Sequence, residues 1–417
     1  MHYKNTRRKR IYDRNLEKIP VDCASVQKAY KVELDPTSQQ EKQLRMHCGC
    51  ARFAYNWALN KKVSHYQEHG TNLSMQELDK QFNAAKKTEF QWAYLTSKCA
   101  HQNAIRNLDA AFVNFFQSTK GGRKFNFPKF KKKKTENERY SLNYEHFETG
   151  ERRIRLARIG WVKLKRTGYI PVSGVKFNSA TISHRAGRWF VSVQVEEEIA
   201  VTENQSGNKI GLDLGLKSFV VDSNGKETVH PKWLERSLGK LRKASRVHSR
   251  RKNGSGRKHR AKNRLARIYY RMSCQKLDFL HKLSRDLVKN NSKIVIEDLD
   301  IGKLQKNPHI ARSVTDSGWG EFRFQLEYKS QWYGSKLVIA DRFFASSKTC
   351  SCCGRKKDSL SCSERTFNCD SCGFSCGRDH NAALNLVGWV SAEPSGKPEN
   401  ARGELAMAGS VNREQRC

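Results

Sequence analysis

Apolar and polar positions alternate along Val26–Leu34 (VQKAYKVEL), the pattern of a β-strand. Asp35-Pro36-Thr37 follows as a helix-start signal, and from there to about Gln117 the pattern is helical. Ile105, Leu108, Phe112, Phe115 and Phe116 fall at helical spacing on one face, a stripe that reads as core packing with no function of its own. Gly121-Gly122 ends the helical region, and Arg123–Lys134 (RKFNFPKFKKKK) is basic and aromatic by turns. Residues 140–200 hold short strand-like segments, IRLARIGWVKLK, VKFNSATISH and WFVSVQVEEE, separated by turn residues that include Ser173-Gly174 and Ala186-Gly187. They predict a small β-barrel to which the early strand contributes, an odd order of strand, helical insertion and remaining barrel.

The second half has a different rhythm. Lys209–Val221 (KIGLDLGLKSFVV) reads as one apolar strand broken by an aspartate. Lys293–Leu299 (KIVIEDL) reads as a second buried strand ending in carboxylates, and Leu337–Asp341 (LVIAD) as a third, with Gly318–Gly334 helical between them. Arg236–Arg271 carries fifteen Lys or Arg and no acidic residue, and its centre, Lys252–Arg257 (KNGSGR), predicts a loop between two helices. Residues 1–24 read as a flexible basic extension, and the polar tail, with its Pro and Gly, as disordered. No internal repeat stands out.

Charge narrows the partners. Lys and Arg number 79 against 41 acidic residues, a net charge of +38. A surface that positive repels itself unless a polyanion neutralises it, which points to nucleic acid. A membrane surface fits less well, because no polybasic segment abuts an apolar helix. The basic N-terminus has no apolar stretch behind it, so a signal peptide is not expected, and no run of about 18 apolar residues suggests a membrane span. The expectation is a soluble intracellular protein whose cysteines are reduced and clustered for metal rather than for disulfides.

Cys350-x-x-Cys353-Gly354 and Cys369-x-x-Cys372-Gly373 form two knuckles whose spacing signals one tetrahedral zinc. The glycine after each pair permits the tight turn that aims amide N–H groups at the thiolates. Cys352, Cys362 and Cys376 fall outside the pattern; Cys352 is an alternative to Cys353, but only Cys353 precedes a glycine. Four thiolates saturate zinc, so this site is structural and any catalysis sits elsewhere.

Three carboxylates stand out for that role. Asp213 interrupts an apolar strand, Glu297 ends another, and Asp379 opens the helix-like DHNAALNL. Each lies where side chains can converge over a sheet. Three convergent carboxylates on a basic protein suit Mg²⁺ and phosphodiester hydrolysis, with two ions about 4 Å apart, one activating water and one stabilising the leaving oxygen. Asp298 is the alternative to Glu297, depending on strand register, and Asp222 and Asp341 are weaker candidates. Arg378, beside Asp379, is a candidate contact to the scissile backbone or a solvated arginine.

The order of GLDLG, IEDL and the doubled C-x2-C followed by RDHNAALNL resembles the TnpB family of transposon-encoded RNA-guided nucleases, relatives of the type V CRISPR effectors. Thr315–Lys336 (TDSGWGEFRFQLEYKSQWYGSK) and Cys50–Leu59 (CARFAYNWAL) resemble the family too, and the likeness runs from about residue 26 to 390. It implies an α/β, multidomain chain: an RNase H-like nuclease domain of RuvC type with an inserted zinc ribbon, preceded by a wedge β-barrel carrying an inserted helical recognition lobe. The implied boundaries are 1–24 for the extension, 25–34 for the first barrel strand, 35–122 for the lobe and 123–204 for the rest of the barrel. The nuclease domain is 205–345, the ribbon 346–376, the final nuclease segment 377–390 and the tail 391–417. Asp213, Glu297 and Asp379 stand where the family has its catalytic carboxylates, with two Mg²⁺ and one Zn²⁺ as the implied metals. The implied partners are a guide RNA, one per chain, and double-stranded target DNA, in the cytoplasm of a prokaryote and associated with its nucleoid.

Tyr55 and Asn56 lie near where the family reads a short motif flanking its target. Arg246, Arg250, Arg251 and Arg260 in the basic hairpin, with Lys131 and Lys132 in the basic-aromatic stretch, are candidates for backbone contacts. Phe125, Phe127 and Phe130 are candidates to stack bases or to pack in the barrel. The competing functions are a nuclease-inactive RNA-guided regulator, which the intact Asp/Glu/Asp set disfavours, and a transposase or resolvase that needs no guide.

Overall fold

A computed structural model describes residues 23–120, 126–133, 138–200, 203–361 and 363–391. Residues 1–22 of the expected extension, Phe125, Cys362 and residues 392–417 of the tail lie outside the described residues.

The alternating stretch belongs to a longer strand, β1 (Cys23–Asp35). Thr37 then starts α1 (Ser38–His69) with a capping box, its side chain accepting from the Gln40 amide while Gln40 answers the Thr37 amide. Helices α2 (Met75–Thr88) and α3 (Lys98–Lys120) follow. Next come β2 (Arg139–Asn143), β3 (Phe147–Thr149), β4 (Arg153–Leu156), β5 (Gly160–Leu164), β6 (Lys176–Arg185) and β7 (Arg188–Ala200). Ala186 and Gly187, with φ of 52° and 73°, form the two-residue turn between β6 and β7, a left-handed pair that matches hairpin twist.

These strands form one antiparallel sheet in the order β2-β6-β7-β1-β5-β4-β3, so β1 is its central strand. The two edge strands, β2 and β3, are consecutive in the chain and joined only by the turn Tyr144–His146. A sheet whose opposite edges are tied that closely must curl toward a barrel. Leu44 and Ala54 of α1 and Ile105 and Leu108 of α3 share one core with Val32, Leu142 and Val191 of the sheet. Phe116 departs from the expected stripe: it is 58% exposed and packs edge-on against Phe115. Phe127 lies against Phe112 and Phe115, with centroids 5.4 and 5.5 Å away, so this part of the basic-aromatic stretch rests on α3 rather than inside the barrel.

The chain then builds β8 (Lys209–Leu214), β9 (Ser218–Asp222), β10 (Glu227–Val229), α4 (Trp233–Ser249), α5 (Gly256–Asn290) and β11 (Lys293–Glu297). The short α6 (Ile301–Leu304) and α7 (Ala311–Ser317) lead to α8 (Trp319–Tyr333) and β12 (Lys336–Ala340). The hairpin β13 (Thr366–Asn368) and β14 (Ser375–Gly377) precedes α9 (Arg378–Ser391). The expected single strand over 209–221 is two antiparallel strands, β8 and β9, turning at Gly215. The centre of β8 and all of β9 are buried, so no polar alternation marked the turn.

The sheet order is β10-β9-β8-β11-β12, with β8, β11 and β12 parallel. On one face Leu280 and Leu287 of α5 and Phe322 and Leu326 of α8 pack on Ile210, Leu212, Ile294 and Ile296. On the other, Leu386 of α9 packs on Val295 and Ala340. Helix α5 is 35 residues, about 52 Å long. It reaches back to the first sheet, where Arg267 donates to the Ala186 carbonyl over 3.4 Å. No helix among the described residues is long and apolar enough to cross a membrane.

Candidate active site and metal centre

Strand alternation sorts the carboxylates. β8 and β11 run parallel in register, Val295 beside Gly211 and Ile296 beside Leu212, so the next pair is Glu297 beside Asp213 at the C-terminal ends of both strands. Val295 faces α9, and Glu297, two residues on, faces the same way. Asp298 turns elsewhere: it accepts from Arg323 over 2.7 Å and from Arg342 over 2.6 Å. Asp222 accepts from the amides of Asn224 and Lys226, and Asp341 from that of Phe343. Both close turns through one carboxylate oxygen.

Helix α9 brings the third carboxylate. A Cβ on Gly211 would sit 2.2 Å from the Ala383 carbonyl oxygen and 3.0 Å from the Leu386 Cβ, so α9 lies directly on β8 where a side chain is missing. Asp379 lies one turn before Ala383 on the same helix face, about 6 Å along its axis. Asp213 lies two residues beyond Gly211 on the same strand face, about 7 Å along. The two steps match, and the first turn of α9 carries Asp379 over the ends of β8 and β11.

The electrostatics agree with that convergence. Burial pushes the Asp213 carboxyl up to about 8, and the negative charges of Glu297 and Asp379 push in the same direction, with Arg378 opposing. The three carboxylates are near enough for their charges to interact, and carboxylate oxygens are the donor type that a hard divalent cation takes, although the one group of metal-type side chains gathered within 4.8 Å among the described residues is the cysteine quartet. Arg378 ion-pairs with Asp379 at 3.6 Å, and its guanidinium reaches the carbonyls of Ser361 and Glu364, each at 3.4 Å. It therefore braces the ribbon loop as well as flanking the carboxylates.

The four knuckle cysteines close on one point. Their Sγ atoms all lie within 4.8 Å of one another, with Cys350 and Cys372 3.7 Å apart and Cys353 and Cys369 3.6 Å apart. Bonds of about 2.3 Å to a tetrahedral zinc would space the sulfurs about 3.8 Å apart, whereas a disulfide would hold a pair at about 2.05 Å. The donor set fits zinc. Gly354 and Gly373 adopt φ of 74° and 70°, and each amide closes its knuckle onto the carbonyl of Cys350 or Cys369. Amide N–H groups of Cys372 and Ser371 draw the Cys369 thiol down to about 6. Cys352 is exposed and Cys376 is half-buried beside Gly377, so neither joins the cluster.

Sequence reasoning missed several groups that hold this arrangement. Ser346 donates to Glu297, and Asn385 donates to the carbonyls of Ser346 and Thr349 over 2.8 and 2.6 Å. Asn381 donates to the Thr349 carbonyl over 2.7 Å and accepts from the Ser351 amide. His380 packs on the turn after β9, its Nε2 3.3 Å from the Ser223 carbonyl. The usable signal was the pair of asparagines at i, i+4 in an otherwise apolar helix, where buried amides need partners.

The expected nucleic-acid residues fall in three places. Arg246, Arg250, Arg251 and Arg260 are all exposed on or near the α4–α5 hairpin. Tyr55 is buried under the Lys131 ammonium, 3.5 Å from the ring centroid, and Asn56 clasps the Lys131 backbone through its N–H and carbonyl at 2.8 and 2.9 Å. Both thus hold the basic stretch onto α1, with Lys131 and Lys132 at the surface of that stretch.

The family model described as "Probable transposase" matches residues 190–308, and one described as "Cas12f1-like, TNB domain" matches residues 319–386. A third, described as "Helix-turn-helix domain", matches residues 25–71, which are β1 and α1 here. A Streptomyces pristinaespiralis protein named as an RNA-guided DNA endonuclease is 35% identical over 366 residues, covering 87% of this chain and 89% of that protein. Escherichia coli K12 InsQ, also named as an RNA-guided DNA endonuclease, is 27% identical, covering 91% and 95%. Among solved structures, the mini-RNA-guided endonuclease CRISPR-Cas phi3 is similar over 90% of this chain and 94% of that one, at 10% identity and a TM-score of 0.45.

Proposed function

Because the chain belongs to the TnpB family, and its relatives from Streptomyces pristinaespiralis and Escherichia coli are named as RNA-guided DNA endonucleases, we propose that it binds a transposon-derived guide RNA, recognises a short motif flanking its target and cleaves double-stranded DNA. The observation that carries this reading is the convergence of Asp213, Glu297 and Asp379 at one end of a mixed sheet. The order β10-β9-β8-β11-β12 supports an RNase H-like domain of RuvC type for that sheet.

Asp213, Glu297 and Asp379 would hold two Mg²⁺ ions, which supply water activation and stabilisation of the leaving oxygen. Cys350, Cys353, Cys369 and Cys372 would hold one structural Zn²⁺, whose loop braces the approach to Asp379 through Arg378. Arg246, Arg250, Arg251 and Arg260 present positive charge to phosphates without reading bases, leaving sequence to guide pairing.

The test is to purify the full chain from cells carrying its flanking DNA, sequence the RNA that comes with it, and supply Mg²⁺ and a plasmid matching that RNA. A uniform RNA and a cut plasmid are expected. Uniform RNA with no cut under any flanking sequence would make the protein a nuclease-inactive regulator. No RNA, with cutting independent of sequence match, would make it a guide-independent transposase or resolvase.

A further inference from the structure

The hydrogen bonds around Glu297 do not end at that residue. Ser346, 4% exposed, donates to its carboxylate from the loop that follows β12. The carbonyl of the same serine accepts from Asn385, which is also buried and which reaches Thr349, the residue just before the zinc-type Cys350. Asn381, fully buried one turn earlier on α9, grips Thr349 again and takes the amide of Ser351 inside the first knuckle. The helix that carries Asp379 thus holds the base of the cysteine unit, and the segment between them fixes a second carboxylate of the same centre.

We propose that Ser346 is a positioning residue for Glu297, and that Asn381 and Asn385 couple it to the cysteine unit, so that the ordered ribbon sets the affinity of the carboxylate centre for divalent cations. This rests on the reading of Asp213, Glu297 and Asp379 as a cation site. The chemistry is simple. A carboxylate with one oxygen held by a buried hydroxyl loses less rotational freedom when the other meets a cation, and outer groups of this kind typically change metal affinity by about 10- to 100-fold. A structural role alone predicts a loss of stability with cation affinity unchanged.

The experiment titrates Mn²⁺ alone into the full-length, zinc-loaded, RNA-free protein and follows free Mn²⁺ by electron paramagnetic resonance. Ser346→Ala should weaken Mn²⁺ binding about 10-fold, while zinc content and guide-RNA binding match the parent. Ser346→Thr, which keeps the hydroxyl, should restore affinity, and Asn385→Ala should weaken it in the same direction. In cleavage assays the Ser346→Ala deficit should shrink as Mg²⁺ is raised. Parental Mn²⁺ affinity in Ser346→Ala, with Glu297→Gln weakened, overturns the positioning role. Parental affinity in Glu297→Gln itself instead overturns the cation-site reading beneath it. Should Ser346→Ala lose zinc or unfold, Asn385→Ala decides, and parental affinity there refutes the coupling.

Discussion

Asp298 and Asp213 lie at neighbouring strand ends of one sheet and meet opposite fates. Asp298 is held by Arg323 and then Arg342, and those partners draw its carboxyl below the usual range. Asp213, on the α9 face with Glu297 and Asp379 as neighbours, is driven the other way by burial and like charge. Two guanidiniums settle Asp298 within the protein, and such a group is structural. On the other face a guanidinium, that of Arg378, pairs with Asp379, and Asp213 carries an electrostatic cost that a bound cation would relieve. Charge compensation, more than residue type, separates a brace from a site.

The sharpest break of that contrast comes from removing a carboxylate on each face. Asp213→Ala, Glu297→Ala and Asp379→Ala should each reduce target cleavage to background and leave guide-RNA and DNA binding intact, since each would delete one of the proposed cation ligands and none touches the basic hairpin. Asp298→Asn should lower the melting temperature and retain cleavage. Near-parental cutting by any of the three alanine variants in Mg²⁺ would remove that residue from the centre. Abolished cutting by a folded Asp298→Asn would dissolve the distinction between the faces.

Gly211→Ala tests how the α9 face is assembled. Its Cβ would meet backbone at 2.2 Å, so the helix and Asp379 must shift. Cleavage should fall about 100-fold, the cost of misplacing a reacting group by about 1 Å, and the protein should melt earlier. A variant with parental activity would mean that α9 does not rest on β8 as described. A smaller effect on catalysis is expected from the ribbon. Cys353→Ser should lower zinc content and reduce cleavage without abolishing it, whereas Cys352→Ser should leave the zinc content at the proposed one per chain. Zinc analysis of the two purified variants checks this directly.

How much of this was legible follows the physics of each signal. The cysteine quartet was readable because ligand spacing is local, and the strands carrying Glu297 and Asp213 were readable because buried parallel strands are continuous apolar runs. The hairpin at Gly215 was hidden by the same continuity. The choice of Glu297 over Asp298 needed register, which depends on pairing with a strand 84 residues earlier in the chain. Tyr55 and Asn56 stood out in the sequence, yet their partner is Lys131, and a contact across 75 residues leaves no local mark. Ser346 was invisible for the same reason. A lone serine in a loop announces nothing until the fold sets a carboxylate beside it.

The gentlest test reads the two faces through stability against pH. Asp213 keeps its proton in the folded, metal-free protein up to about 8, while the unfolded chain releases it near pH 4. Between those values the unfolded state binds fewer protons, so this group lowers stability as pH rises through that window. Asp213→Asn removes the penalty. Its melting temperature should match the parent's near pH 4 and exceed it by a few degrees near pH 8, in Mg²⁺-free buffer without a chelator that would strip zinc. Asp298 has the reverse sign, because its folded value is depressed by Arg323 and Arg342. It contributes stability above pH 4 and loses it as pH falls through its folded value, so Asp298→Asn should cost most at neutral pH and least in acid. The two difference curves should therefore diverge as pH rises. Parallel curves would mean that Asp213 is ionised at neutral pH without a cation, and the contrast between the two faces would lose its electrostatic basis.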